Sequence, residues 1–235
     1  MRTIKIIIFL SVVVAILFNT SFVIESKNVI NNSQVEGHLK FNVIKINKDD
    51  MSFGVSETRP DSADFYINSN FFNNTSPIGL VVINGIRHNK RKKGGGFFYV
   101  VNGTPHISSK TCPKMTQYAS QTILWGIDNG VKNEKLFDRT HANLKRYRTI
   151  MGENSEGQLI VVSSNRAGLV TIKEIVDYAS DLGMNEGILL DGGTSVDYKF
   201  SDGTNEVSFQ SVPDIIKSMS SIKTPTTYIY GNLKK

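Results

Sequence analysis

Asp191 ends a short apolar run, Gly187-Ile188-Leu189-Leu190, and is followed by Gly192-Gly193-Thr194-Ser195. An acid at the end of a buried strand, beside two glycines, suits a ligand site. The strand holds the carboxylate still, and the glycines let a ligand approach the backbone closely. The same Asp-Gly pair also suits an ordinary turn. Arg146 and Arg148 lie two residues apart, so on an extended segment both guanidinium groups share a face. Asn68 and Asn70 repeat that spacing with amides that could meet sugar hydroxyls, and the alternative is a turn-making cluster, since Asn73-Asn74 follow. Phe71 and Phe72 offer either a stacking surface or a piece of core. Ser195 is not read as a nucleophile, because its flank is not G-x-S-x-G and no histidine is near it in sequence.

Several other chemistries lack their residues. The four histidines (His38, His88, His106, His141) are scattered, and the single Cys112 cannot build a disulfide framework or a cysteine zinc cluster. Asparagine, aspartate and backbone oxygens suit a divalent cation in principle, but no D-x-D-x-D-G spacing supports one. No metal and no cofactor is therefore expected. The run Arg87-His88-Asn89-Lys90-Arg91-Lys92-Lys93 precedes Gly94-Gly95-Gly96, the wrong order for a phosphate loop, and G-K-[ST] is missing. It reads as a solvated hairpin tip, with contact to anionic lipid or polysaccharide as the alternative. With 27 basic and 21 acidic residues the formal charge is +6. That mild excess suits anionic ligands and is far from the signature of a nucleic-acid binder, so no nucleic-acid partner is expected.

The elements that must hold these side chains can be read in outline. Thr171 and Glu174 form a capping box for a helix whose apolar face is Ile172, Ile175, Val176, Ala179 and Leu182, with Gly183 as its stop. Strand-like runs fall at Phe41–Ile46, Phe65–Ile67, Leu80–Ile83, Phe97–Val101, Ile123–Trp125 and Leu159–Val162. Asn84-Gly85, Asn102-Gly103 and Asn129-Gly130 are hairpin turns, which favour antiparallel pairing. The fold class expected is α+β: a mixed, largely antiparallel sheet with a few packed helices in a single domain over residues 41–235.

Arg2 and Lys5 precede a 13-residue apolar run, Ile6 to Phe18. Residues 1–27 read as a signal peptide or N-terminal membrane anchor, and 28–40 as a polar tether. The expected location is periplasmic or extracellular, with attachment to the membrane if the leader stays uncleaved. Cys112 would then be a lone, buried thiol in an oxidising space.

Five motifs in order carry a resemblance: Asn68-Ser69-Asn70-Phe71-Phe72, Pro77-Ile78-Gly79, Ser120-Gln121-Thr122-Ile123-Leu124, Arg148-Thr149-Ile150-Met151-Gly152, and Leu190-Asp191-Gly192-Gly193-Thr194-Ser195. Over roughly residues 40 to 230 the chain resembles the phosphodiester glycosidase family, whose namesake activity removes N-acetylglucosamine from mannose-6-phosphate diesters. The resemblance implies an exported or membrane-tethered hydrolase that cleaves a sugar-1-phosphodiester of an envelope glycan or exopolysaccharide. It implies Asp191 and Arg148 as catalytic residues, acting on the anomeric carbon and the phosphate respectively. Asn68, Asn70, Gly192, Gly193, Thr194, Ser195 and Arg146 are the implied substrate-binding residues. Glu153, Glu156 and Asp197 are available as a second carboxylate. The sequence departs from the family pattern at Ser69-Asn70, Thr122-Ile123 and Thr194. If the Thr194 side chain closes the space above Asp191, the alternative is a non-catalytic glycan-binding module.

Overall fold

The structure is a computed structural model that describes residues 28–30, 33–74, 76–203, 206–220 and 222–234. The leader expected over 1–27 lies outside the described residues. Alternation of apolar side chains along the strands sets the layering. In the strand Thr149–Asn154, Ile150 faces one core and Met151 the other. Ile188 and Leu189 divide in the same way in Met184–Leu189. Successive side chains of a strand point to opposite faces, so this sheet must be covered on both.

The covered sheet has eight strands, running from edge to edge as Asn28–Ile30, Ser33–Gly37, Phe41–Ile46, Leu159–Ser164, Thr149–Asn154, Met184–Leu189, Leu124–Asp128 and Val131–Lys132. The helix Ile172–Asp181 packs Ile172, Ile175, Val176 and Ala179 on one face. Both bonds of its Thr171–Glu174 capping box are present, and Gly183 takes the left-handed φ of 82° beyond its end. The other face meets two five-stranded sheets in a central core that includes Phe53, Phe65, Phe98, Ile188 and Tyr198. One of these orders Thr104–Ser108, Gly96–Val101, Tyr118–Thr122, Val81–Ile83 and Ile86–Asn89; the other orders Glu206–Gln210, Asp197–Ser201, Phe65–Asn68, Tyr228–Leu233 and Met51–Ser56.

Every strand pairing among the described residues is antiparallel. The three Asn-Gly turns have φ of 47–51° at asparagine and 77–78° at glycine, the geometry that matches strand twist in a two-residue hairpin. Only two α-helices occur among the described residues, so the architecture is more sheet-dominated than a balanced α+β fold. Residues 28–40 were read as a tether, but within them 28–30 pair as a strand with 33–37, which in turn pair with Phe41–Ile46. The basic run is not a hairpin tip either. Asn84-Gly85 makes that turn, while Arg87 to Asn89 belong to the returning strand. The following loop is held by Gln121, whose side chain accepts from the Lys92 N–H at 2.9 Å and donates to the carbonyls of Lys92 (2.9 Å) and Gly94 (2.7 Å).

The chain leaves the large sheet after Leu189 and enters another at Asp197, so residues 190–196 form the crossing between two sheets. Gly152 shows how tightly the neighbouring strands are packed. A Cβ there would lie 2.1 Å from the Glu186 carbonyl oxygen and 2.3 Å from Met184 Sδ. Gly152→Ala should therefore lower unfolding stability by about 1–3 kcal/mol, read as a reduced midpoint in urea.

Candidate active site

The crossing segment is anchored mainly through its backbone. Leu190 N–H donates to the Thr149 carbonyl (3.0 Å), Asp191 N–H to the Ser69 carbonyl (3.0 Å), and Gly193 N–H to the Tyr147 carbonyl (2.8 Å). Gly192 must be glycine for packing reasons, since a Cβ would meet the Tyr147 oxygen at 2.7 Å. Gly193 is needed for conformation, with φ of 67°. A 3-10 turn, Gly193–Ser195, then leads into the strand Asp197–Ser201.

Asn68 closes this segment from beneath. Its Nδ2 donates to the Asp191 carbonyl at 2.8 Å, and its Oδ1 accepts from the Asp197 N–H at 3.0 Å. Asn70 is equally buried, and its amide donates to the carbonyls of Gln121 (2.6 Å) and Ile78 (3.3 Å). Its Oδ1 accepts from Ser69 and Ser120. Both asparagines are thus committed to holding the chain. The expectation that they meet sugar hydroxyls gives way to a positioning role, because every amide in the pair is spent inside the fold.

Above the segment opens a cavity of about 540 Å³, lined by Asp191 to Ser195, Lys145 to Tyr147, Leu169 and Phe72. Of the expected site residues, Asp191, Gly192, Gly193, Thr194, Ser195 and Arg146 meet here. Thr194 is exposed on the wall and leaves the hollow open. Arg148 does not line it. Its Nη2 donates to the carbonyls of His141 and Leu144, each at 3.0 Å, and its Nε–H is buried without a hydrogen-bond partner. Arg148 therefore braces the loop that presents Lys145 and Arg146, rather than facing the cavity as expected. Burial, followed by the charge of nearby Arg146, pulls its pKa down. Arg146 itself is set by a two-way backbone bridge with Val170.

Asp191 is the only acid among the cavity-lining residues. Burial pushes its pKa up to about 6, against the opposing pull of hydrogen bonds from Ser195 and the Gly192 backbone. The other carboxylates considered are engaged elsewhere. Glu153 pairs with Lys48 at 2.6 Å and accepts from the Ile107 N–H, and Glu156 is exposed in a turn. Asp197 is buried against Arg59 (3.4 Å) and the Tyr228 hydroxyl (3.2 Å). Among the described residues no group of three or more His, Cys, Asp or Glu could hold a metal ion. Sequence reasoning missed Lys145, Tyr147 and Leu169. The K-R-Y-R string carried a signal for the first two, whereas Leu169 arrives only through its antiparallel bridge.

One carboxylate able to take a proton near neutral pH thus lines the same cavity as two cationic residues suited to an anion. Residues 61–217 match the model of the family described as phosphodiester glycosidase, and the chain belongs to that family. Its fold is similar to the zebrafish N-acetylglucosamine-1-phosphodiester alpha-N-acetylglucosaminidase catalytic domain, auto-inhibited by its pro-peptide. The TM-score is 0.63 at 14% identity, covering 89% of this chain and 81% of that one. A hypothetical protein from Synechocystis is similar with a TM-score of 0.57 at 13% identity, covering 88% of this chain and 61% of that one. No curated protein matches the sequence.

A carboxyl whose pKa is raised on folding destabilises the folded state once pH rises above its unfolded value near 4, fully so above about 6. Asp191→Asn should accordingly melt at a higher temperature than the parent at pH 7. The two should melt together at pH 4, as differential scanning calorimetry would show.

Proposed function

We propose that this protein hydrolyses a sugar-1-phosphodiester, releasing the sugar and a phosphate monoester. The observation that carries the reading is that Asp191, perturbed by burial, lines one open cavity together with Lys145 and Arg146. In the reaction, water attacks the anomeric carbon while Asp191 takes its proton. The bond between that carbon and the phosphate oxygen breaks, and the electron pair leaves on the oxygen. The leaving phosphate is already a good anion, so no acid is required to protonate it. Lys145 and Arg146 hold its charge in place. Ser195 keeps the carboxylate oriented.

The family membership supports a glycosidase-type hydrolase, and the zebrafish enzyme's name makes an N-acetylglucosamine-1-phosphodiester the first substrate to try. The apolar run Ile6 to Phe18 supports placing the reaction outside the cytoplasm, on envelope glycan or exopolysaccharide, with the membrane as anchor if the leader is retained. The binding-module alternative depended on Thr194 closing the cavity, and the open wall gives it no support.

A base must be deprotonated to work. kcat/KM should therefore rise tenfold per pH unit up to about 6 and level off above it. Asp191→Asn should lower kcat by about 100-fold or more while the protein stays folded. A profile that falls above pH 6 would reassign Asp191 as an acid, and an unchanged kcat in the variant would remove it from the chemistry.

A further inference from the structure

The cavity lining is of two kinds. Asp191, Thr194 and Ser195 contribute a carboxylate and two hydroxyls, fit for a sugar. The 145–147 segment, hydrogen-bonded to the first set through Gly193 and Tyr147, contributes Lys145, Arg146 and Tyr147, and Leu169 and Phe72 add apolar surface. The bridge between Arg146 and Val170 is antiparallel, so the next residue along one segment, Tyr147, opposes the previous one along the other, Leu169. The residues flanking such a doubly bonded pair stand closer together than the pair itself, which joins an aromatic and an aliphatic surface. Tyr147 is fixed by an edge-to-face contact with Phe209 at 5.0 Å. Leu169 remains 49% exposed at the cavity, and Leu144, just before the two cations, is 44% exposed.

A polar aglycone would leave this wall unused, and would find no amide or carboxylate on it. An alkyl chain running past the cations would cover it and remove apolar surface from water. We propose that the site selects a sugar-1-phosphodiester whose aglycone is apolar, with Leu169 as the residue that determines this preference. The inference rests on the hydrolytic reading above for the placement of sugar and phosphate. It adds the chemical class of the group on the far side of the phosphate.

The test uses the full chain with two esters of N-acetylglucosamine 1-phosphate, one octyl and one glyceryl, each below the concentration at which the octyl ester forms micelles. The octyl ester should show a KM about tenfold lower, the equivalent of roughly two buried methylene groups. Leu169→Asn should erase that difference and Leu169→Met should keep it. Equal KM values for the two esters, or a preference that survives Leu169→Asn, would overturn the inference and leave the hydrolase reading standing. If neither ester is hydrolysed, the hydrolase reading fails, and binding of the same esters to the parent chain decides the preference. Tighter binding of the octyl ester that is lost in Leu169→Asn supports it; equal or undetectable binding overturns it.

Discussion

Asn68 is the contact on which the site depends. Its side chain joins the carbonyl of Asp191 to the N–H of Asp197, the two ends of the segment that passes from one sheet to another. Asp191 lies past the end of the Met184–Leu189 strand, and Asp197 is the first residue of its own, one short of where pairing with Phe65–Asn68 begins. A buried backbone group left unpaired costs about 1–3 kcal/mol, and one fully buried amide answers both. That amide adds to the main-chain bonds of Leu190, Asp191 and Gly193, and together they hold Asp191 at the wall of the cavity.

The same economy recurs around it. Gln121 spends its whole side chain on the backbone of Leu80, Lys92 and Gly94, which pins the basic loop to the strand Tyr118–Thr122. Arg148 uses its guanidinium on two carbonyls of the preceding loop, and Arg59 gathers Asp61, Asp197 and Asp214. Polar groups taken into a fold are stabilised by such internal partners, and of the buried side-chain donors of Arg148 only its Nε–H lacks one. Much of what looks like ligand-binding chemistry in the sequence is consequently internal carpentry. The groups left for a substrate are few and stand along one opening.

This division explains how much could be read beforehand. The capped helix, the three Asn-Gly hairpins and the buried run ending at Asp191 were legible because each rests on a local rule of spacing or turn geometry. The strands Thr149–Asn154 and Tyr228–Leu233 were missed, since each is buried between neighbours and shows little alternation. At the site, Asp191, Arg146 and the glycines followed from local pattern, and the family motifs gave their order. The roles of Asn68, Asn70 and Arg148 did not follow. Whether an amide or guanidinium faces a ligand or a carbonyl depends on chain tens of residues away, and no spacing records that.

Thr194 and Leu169 are exposed at the cavity, whereas the acid is gripped by atoms of the main chain. On the proposed reading, turnover and selectivity fall to separable sets of atoms. A descendant sequence can reshape the mouth one side chain at a time and leave the backbone bonds that seat Asp191 untouched.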